Sequence, residues 1–213
     1  MIYHILFDVG LLDPRTSNRA NAEPLDPVAK RAAAGDHLAL VALYREHAAR
    51  VRTFALRLVG CEMAADDLVH DVFLALPAAL SRFRGDCTLS SFLLSITVRS
   101  ARRHLRSAQR RRRLEARAAE LPRPEAIAPD ASGEQRELAT LLARALDALP
   151  LAQRAAFILC EIEESTSQEA GEILGERAGT VRARVFHAKR KLRDCLAELA
   201  PEHLSTRWSE LRT

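Results

Sequence analysis

The sequence predicts an all-α protein in which a linker joins two helical domains. Aromatic residues make up only 5% of the 213 residues, while the good helix formers Ala, Leu and Arg are abundant. Apolar residues recur at intervals of three and four positions, which is the helical period. Between the two periodic regions, Leu121–Gly133 holds three prolines and a glycine without any helical period. This stretch is typical of a linker between domains.

These breaks divide the chain into five segments. We predict a flexible leader (1–24), a first helical domain (25–119), the linker (120–133), a second helical domain (134–199) and a tail (200–213). No apolar run has the length of a membrane span. The four cysteines show no CxxC spacing. We therefore expect a cytoplasmic protein without stable membrane insertion, and with no metal, no cofactor and no catalytic residue.

The helices of the first domain follow from their starts and stops. Asp26-Pro27 is typical of a helix start, and Asp36 can cap a second helix that Gly60 ends. The apolar stripe predicted for this second helix consists of Val41, Tyr44, Ala48, Val51, Ala55 and Leu58. A third helix is predicted over Glu62–Leu76, with Pro77 kinking or ending it.

The third and fourth helices present polar surfaces beside their apolar ones. Leu68, Val72 and Leu76 line one side of the third helix, and the opposite side presents Asp67, His70, Asp71 and Leu74. A connecting stretch, Ala78–Cys87, contains the sequence SRFRGD. The fourth helix is predicted to begin near Thr88 and to bury Leu89, Phe92, Leu93 and Ile96.

Positive charge is concentrated in two segments. The formal net charge of the chain is +4, but residues 99–117 carry +8, residues 176–196 carry +5, and the remainder carries −9. The arginines of the first segment share one side of a helix: Arg99, Arg102, Arg103, Arg106, Arg110, Arg113 and Arg117. One such patch is as well explained by a solvated helix face. Two patches favour a polyanion, and phosphate backbones are the commonest one.

The second domain contains a helix-turn-helix pattern. A helix over Leu151–Glu163 precedes Thr166-x-x-Glu169, a capping box that starts a short helix. A turn over Gly175–Gly179 follows, and Thr180 is predicted to cap a basic last helix. The outer side of this last helix presents Arg182, Ala183, Phe186, His187 and Arg190, where a recognition helix meets bases. Lys189, Lys191 and Arg193 flank them and suit phosphates.

Taken together, these segments resemble an extracytoplasmic-function (ECF) type RNA polymerase sigma factor. The resemblance depends on four segments in order: DDLVHDVFLAL, SRFRGD, ALPLAQRAAFIL and QEAGEILGERAGTVRARVFHAKRKL. It covers about Pro27 to Leu196. The resemblance implies a promoter-specific initiation factor with two domains, sigma domains 2 and 4. It also implies core RNA polymerase and promoter DNA as partners, together with an anti-sigma factor.

The resemblance also implies a role for each surface. The −35 promoter element would meet Arg182, Ala183, Phe186, His187, Lys189 and Arg190. The −10 element and its melting would involve Arg84, Thr88, Ser91, Phe92, Arg99, Arg102, Arg103 and Arg106. The polymerase β′ clamp would meet Asp67, His70, Asp71 and Leu74, and the β flap would support the second domain.

Phe92–Ser100 departs from the family pattern. The family usually has an aromatic-rich WLYRIARN-like stretch where this chain has FLLSITVRS. Stacking aromatics help to hold single-stranded DNA, so this departure bears on promoter melting. A helix-turn-helix regulator that does not act as the polymerase specificity subunit is the alternative function. An enzyme is not expected, because the sequence has no nucleophile elbow, phosphate loop or metal-ligand spacing.

Overall fold

The computed structural model describes residues 26–83, 85, 87–115 and 141–199, and the helices among them form two compact units. The first unit contains residues 26–115, and the second contains most of residues 141–199. The predicted leader, linker and tail, and also Arg84, lie outside the described residues. Within the described part of the chain, no helix is both long enough and apolar enough to cross a bilayer.

Among its described residues, the first unit contains four helices. They are α1 (Pro27–Ala33), α2 (His37–Val59), α3 (Glu62–Leu80) and α4 (Leu89–Glu115). The sequence-predicted starts of α1 and α2 and the predicted end of α2 are confirmed. Asp26 Oδ1 accepts from Ala29 N at 2.6 Å, and Asp36 Oδ1 accepts from Leu38 N at 2.9 Å. Gly60 ends α2 at φ +67°, a conformation that suits glycine.

The core of the first unit lies between α2, α3 and α4, with α1 packed against α2 and α3. Its members include Leu43, Val51, Val72, Leu76 and Leu93, each at most 1% exposed. The predicted stripe of α2 was wrong at Tyr44, which is 48% exposed. The reason is that Leu43 turns to the core instead, and Tyr44 lies at the edge with its ring 4.9 Å from that of Phe73.

The prediction that Pro77 ends or kinks the third helix was wrong about its end, because α3 continues to Leu80. Proline removes one backbone donor and strains the preceding turn. Burial outweighs this cost, since Leu76 and Leu80 on either side are at most 1% exposed. Ser81 N donates to Pro77 O at 3.2 Å, so the hydrogen-bond ladder resumes after the proline.

The second unit contains four α-helices and one π-helical turn among its described residues. They are α5 (141–147 as far as it is described), α6 (Leu151–Phe157), the π-helix Ile158–Ile162, α7 (Ser167–Leu174) and α8 (Ala178–Leu199). The predicted inward residues of the long helix are confirmed: Ala155, Ile158, Leu159 and Ile162 are at most 1% exposed. The π turn is the part that periodicity alone did not predict.

The predicted start of the last helix was wrong by three residues, because a capping Thr180 would place the first helical residue at 181. The helix α8 begins at Ala178, so Thr180 lies in its first turn and does not cap it. Thr180 N and Val181 N both donate to Arg177 O, at 2.8 and 3.1 Å. The turn is therefore shorter than predicted, and Gly175 supplies its left-handed residue at φ +68°.

Candidate functional surfaces

The outer face of α8 combines positive charge with an exposed aromatic ring. Arg182, Ala183, His187 and Arg190 are exposed, and Phe186 is 64% exposed. The rings of Phe186 and His187 lie edge to face, 5.6 Å between centroids. On the inner face, Val181, Ala188 and Leu192 are fully buried and pack towards α6. This arrangement leaves the outer face free to enter a groove of a nucleic acid.

The two helices of the helix-turn-helix are α7 and α8, and local hydrogen bonds fix the first of them. The predicted capping box is confirmed: Thr166 N donates to Glu169 Oε2 at 2.7 Å, and Glu169 N donates to Thr166 Oγ1 at 3.2 Å. Three apolar residues of α7 itself are buried: Ala170, Ile173 and Leu174. Its capping hydrogen bonds and its buried side therefore fix α7, while α8 is held by its packing against α6.

Lys189 differs from the other residues predicted on this surface. It is half-buried, and its Nζ lies 2.5 Å from Oε2 of Glu161 in the π-helical turn. Sequence reasoning missed Glu161, because a π turn adds a residue to the helical register and rotates the residues after it. No period in the sequence announces such a turn.

The π turn also partly buries a thiol. Cys160 is half-buried, and burial, followed by the nearby Glu161 carboxylate, raises the pKa of its thiol to about 11. A neutral thiol is a poor nucleophile and a poor metal ligand. Among the described residues, no group of three His, Cys, Asp or Glu side chains could hold a metal ion.

The basic face of α4 is presented to solvent as predicted. Arg99, Arg103 and Arg106 are exposed, and Arg102 is half-buried. Two of them are held along the helix, since Arg99 Nη2 donates to Ser95 Oγ at 2.8 Å and Arg103 Nη2 donates to Ser100 Oγ at 3.0 Å. The side chains of residues 109–115, and Arg117 as a whole, lie outside the described part of the chain. The described arginines suit a phosphate backbone.

Thr88 and Ser91 serve the start of α4. Ser91 N donates to Thr88 Oγ1 at 3.1 Å, and Thr88 Oγ1 donates to Ser91 Oγ at 3.0 Å. Ser91 is only 4% exposed. Its predicted contact with DNA therefore requires this turn to open, whereas Thr88 is half-buried and lies nearer to solvent.

The stretch that departs from the family pattern is largely core. Leu94 and Val98 are each 1% exposed, so they support α4 from within. Phe92 is half-buried, and its ring lies 4.7 Å from that of Phe83, which belongs to the connecting stretch. Of these residues, only Phe92 lies where an aromatic ring can meet a base near the surface.

The polar face of α3 is also exposed as predicted. Asp67, His70 and Asp71 are exposed, and Leu74 is 67% exposed. Asp71 and Leu74 line an open groove together with residues of α4, which are Ser100, Arg103, His104 and Ser107. The acidic surface of α3 and the basic surface of α4 therefore adjoin, which the sequence pattern did not indicate.

Comparison with known proteins assigns a family to both units. Residues 43–111 match the family Sigma-70 region 2, and residues 139–192 match the family Sigma-70, region 4. The chain is 35% identical over 182 residues to the ECF RNA polymerase sigma factor SigE of Mycolicibacterium smegmatis, covering 80% of this chain and 67% of that protein. It is 31% identical over 160 residues to the RNA polymerase sigma factor CarQ of Myxococcus xanthus, covering 75% and 90%.

A solved sigma factor structure also resembles this chain. The sigma factor RpoE of Bartonella quintana, in complex with the anti-sigma factor NepR, superposes with a TM-score of 0.56 at 25% identity. The match covers 72% of this chain and 93% of that chain. The two matched regions occur in the same order as the two helical units, with the predicted linker between them.

Proposed function

The chain belongs to the ECF type of RNA polymerase sigma factors, and we propose that its three exposed surfaces divide the work of that family between them. As a member, it binds core RNA polymerase and directs it to promoters. The order of the two matched regions carries this conclusion. The alternative, a regulator that leaves the polymerase specificity subunit in place, is not favoured because region 2 is matched as well as region 4.

The outer face of α8 is the proposed reader of the −35 element. Arg182, Ala183, Phe186 and His187 lie in the first turns of α8, where a recognition helix meets base edges. Their exposure and the buried inner face support this role. Arg190 lies further along the same side and suits a phosphate.

The proposed −10 surface consists of the start of α4, its basic face and the connecting stretch. Arg99, Arg102, Arg103 and Arg106 supply salt-dependent affinity for phosphates. Phe92 supplies an aromatic ring on which an unpaired base can stack. Thr88 and Ser91 shape the turn beside it, and Arg84 belongs to the same proposed surface.

The face of α3 that presents Asp67, His70, Asp71 and Leu74 is the proposed contact with the β′ clamp. It combines carboxylates with an exposed leucine, which suits a basic and partly apolar partner. The second unit would rest on the β flap. Because polymerase performs the chemistry, we propose no catalytic residue for this chain, and we place its action in the cytoplasm with the polymerase.

An anti-sigma factor is a proposed partner. The Bartonella quintana sigma factor similar to this chain was solved in complex with the anti-sigma factor NepR. By analogy, we propose that an inhibitor covers a polymerase-binding or promoter-binding surface of this chain.

In vitro transcription tests the proposal. Core bacterial polymerase is supplied with a randomised promoter library, with and without this protein. We expect transcripts that depend on the protein and share one −35 and −10 pair. In the same assay, Arg182→Ala should abolish −35 dependence while core binding survives. DNA binding without any initiation would instead support the regulator.

A further inference from the structure

Lys189 lies at the edge of the proposed promoter surface. It comes seven residues after Arg182, about two turns, so the two side chains project nearly in line along α8. A lysine in this position meets phosphates readily if its ammonium group is free to turn outward. In this structure the ammonium group turns the other way, to Glu161 at 2.5 Å.

The partner of Lys189 is itself well buried. The side chain of Glu161 is only 14% exposed, and that of Lys189 is 41% exposed. A carboxylate buried to this extent is costly without a compensating charge. If Lys189 swung out to a phosphate, Glu161 would lose its partner. The affinity gained from one more phosphate contact is therefore offset by the cost of leaving the buried Glu161 carboxylate without a compensating charge.

The π turn directs Glu161 towards α8. Glu163 N donates to Ile158 O at 2.9 Å, a bond that reaches five residues back and not the usual four. The side chains within such a turn point to sides that a regular α-helix would not give them. Glu161 thereby reaches Lys189, while Ile158 and Ile162 of the same turn remain in the core.

We propose that Glu161 is a positioning residue that holds Lys189 off the DNA backbone and so limits the sequence-independent affinity of α8. Phosphate contacts add affinity without reading sequence. Withholding one of them makes the protein depend more on its base contacts. This inference rests on the proposed role of α8 as the −35 reader.

The test measures how salt affects DNA binding by the holoenzyme made from the full chain and core polymerase. The probes are a promoter duplex and a scrambled duplex. In Glu161→Gln, Lys189 becomes free, so both duplexes bind tighter, by roughly fivefold at about 0.15 M salt, and the slope of log K against log salt steepens by about 0.9. Glu161→Asp keeps the carboxylate and should keep the original slope.

Two further variants isolate the pair. Combining Glu161→Gln with Lys189→Gln should abolish the steeper slope, because the freed lysine is gone. Glu172→Gln, a matched change at an exposed glutamate of α7, should leave the slope unchanged. An unchanged or shallower slope in Glu161→Gln overturns the proposal, and so does weaker binding to both duplexes.

A second measurement needs no variant. In the wild-type holoenzyme, acetylation of Lys189 is followed by mass spectrometry with and without promoter DNA. We expect equal rates of acetylation with and without DNA, and protection of Lys189 by DNA would overturn the proposal.

The variant Arg182→Ala, assayed in the same salt titrations, separates the proposed role of Glu161 from the proposed role of α8. If it removes promoter preference while Glu161→Gln changes nothing, only the role of Glu161 fails; if both changes are silent, the role of α8 fails.

Discussion

Arg154 and Asp147 form an ion pair across the turn between α5 and α6, with Nη1 of the arginine 2.7 Å from Oδ1 of the aspartate. The two side chains are only 7% and 21% exposed. Nη2 of Arg154 also donates to the carbonyl of Leu149 within that turn, at 3.4 Å. A buried charge pair thus joins α6 to α5, the helix before it within the second unit.

Asp147→Ala should lower the free energy of unfolding of the second unit by about 3 kcal/mol. It removes the carboxylate that compensates a buried guanidinium, and breaking a buried pair from one side is costly. Urea unfolding followed by circular dichroism measures the loss. Arg52→Ala is the control, because Arg52 pairs with Asp66 at 2.6 Å but is 42% exposed. It should cost less than about 1 kcal/mol. Equal losses in the two variants would contradict the prediction.

Pro77→Ala should stabilise the first unit. It restores a backbone donor and relieves the strain of the preceding turn, and proline costs about 3 kcal/mol relative to alanine inside a helix. Part of that gain is lost, because alanine leaves the unfolded chain more flexible. We therefore expect a gain of about 1–2 kcal/mol in thermal or urea unfolding. Ala78→Gly, the next position and exposed, should have the opposite sign. A loss of stability in Pro77→Ala would show that α3 is bent to fit its neighbours.

Alkaline pH should destabilise the second unit through Cys160. Burial first, and then Glu161, raise the pKa of this thiol from 9.0 to about 11 in the folded protein. The unfolded chain therefore releases this proton at a lower pH than the folded protein does. The contribution of the protonated thiol to the stability of the fold is complete below pH 9 and is lost as the pH rises towards 11. Unfolding midpoints across this range should fall less in Cys160→Ala. If the unfolding midpoints of the wild type and of Cys160→Ala fell equally, the raised pKa of Cys160 would be contradicted.

The same thiol should report on its neighbour. Since the Glu161 carboxylate helps to raise the pKa of Cys160, Glu161→Gln should lower that pKa. The measurement is the pH dependence of Cys160 alkylation by iodoacetamide, followed peptide by peptide. Glu172→Gln serves as the control here too.

Asp71→Lys should weaken binding to core polymerase by roughly tenfold or more, which corresponds to at least about 1.4 kcal/mol. The change reverses a charge in the middle of the proposed clamp contact, and like charges at an interface are strongly unfavourable. Binding of labelled protein to core polymerase gives the affinity. Glu46→Lys makes a similar change at an exposed position of α2, outside that face, and should bind as the wild type does. Unchanged affinity in Asp71→Lys would reject the assignment of this face.

Three helix starts were predicted correctly from the sequence. Asp26, Asp36 and the Thr166–Glu169 box are confirmed as caps, because capping depends on residues within one turn of each other. The exposed faces of α3 and α8 also follow from the helical period alone. The family could be recognised for a similar reason, since each of its motifs is a continuous segment of the sequence.

Features that depend on contacts between helices were not predictable in this way. Pro77 was expected to kink or end α3, but the helix continues to Leu80, which is buried. Tyr44 and Leu43 are neighbours in sequence, and only packing against α3 and α4 decides which of them is core. The pair of Glu161 and Lys189 needs both a π turn and a particular approach of α8. Ser91 turned out to be buried for a similar reason.

The length of α8 limits how much of it can read DNA. Its 22 residues span about 33 Å, while the major groove is about 12 Å wide. A helix that enters the groove by its first turns must leave it again after roughly half its length. The remaining residues therefore lie outside the groove and contact no base. For α8 as the proposed reader of the −35 element, we expect substitutions in its first half to alter which promoters are chosen, and those in its second half to alter only the affinity for DNA.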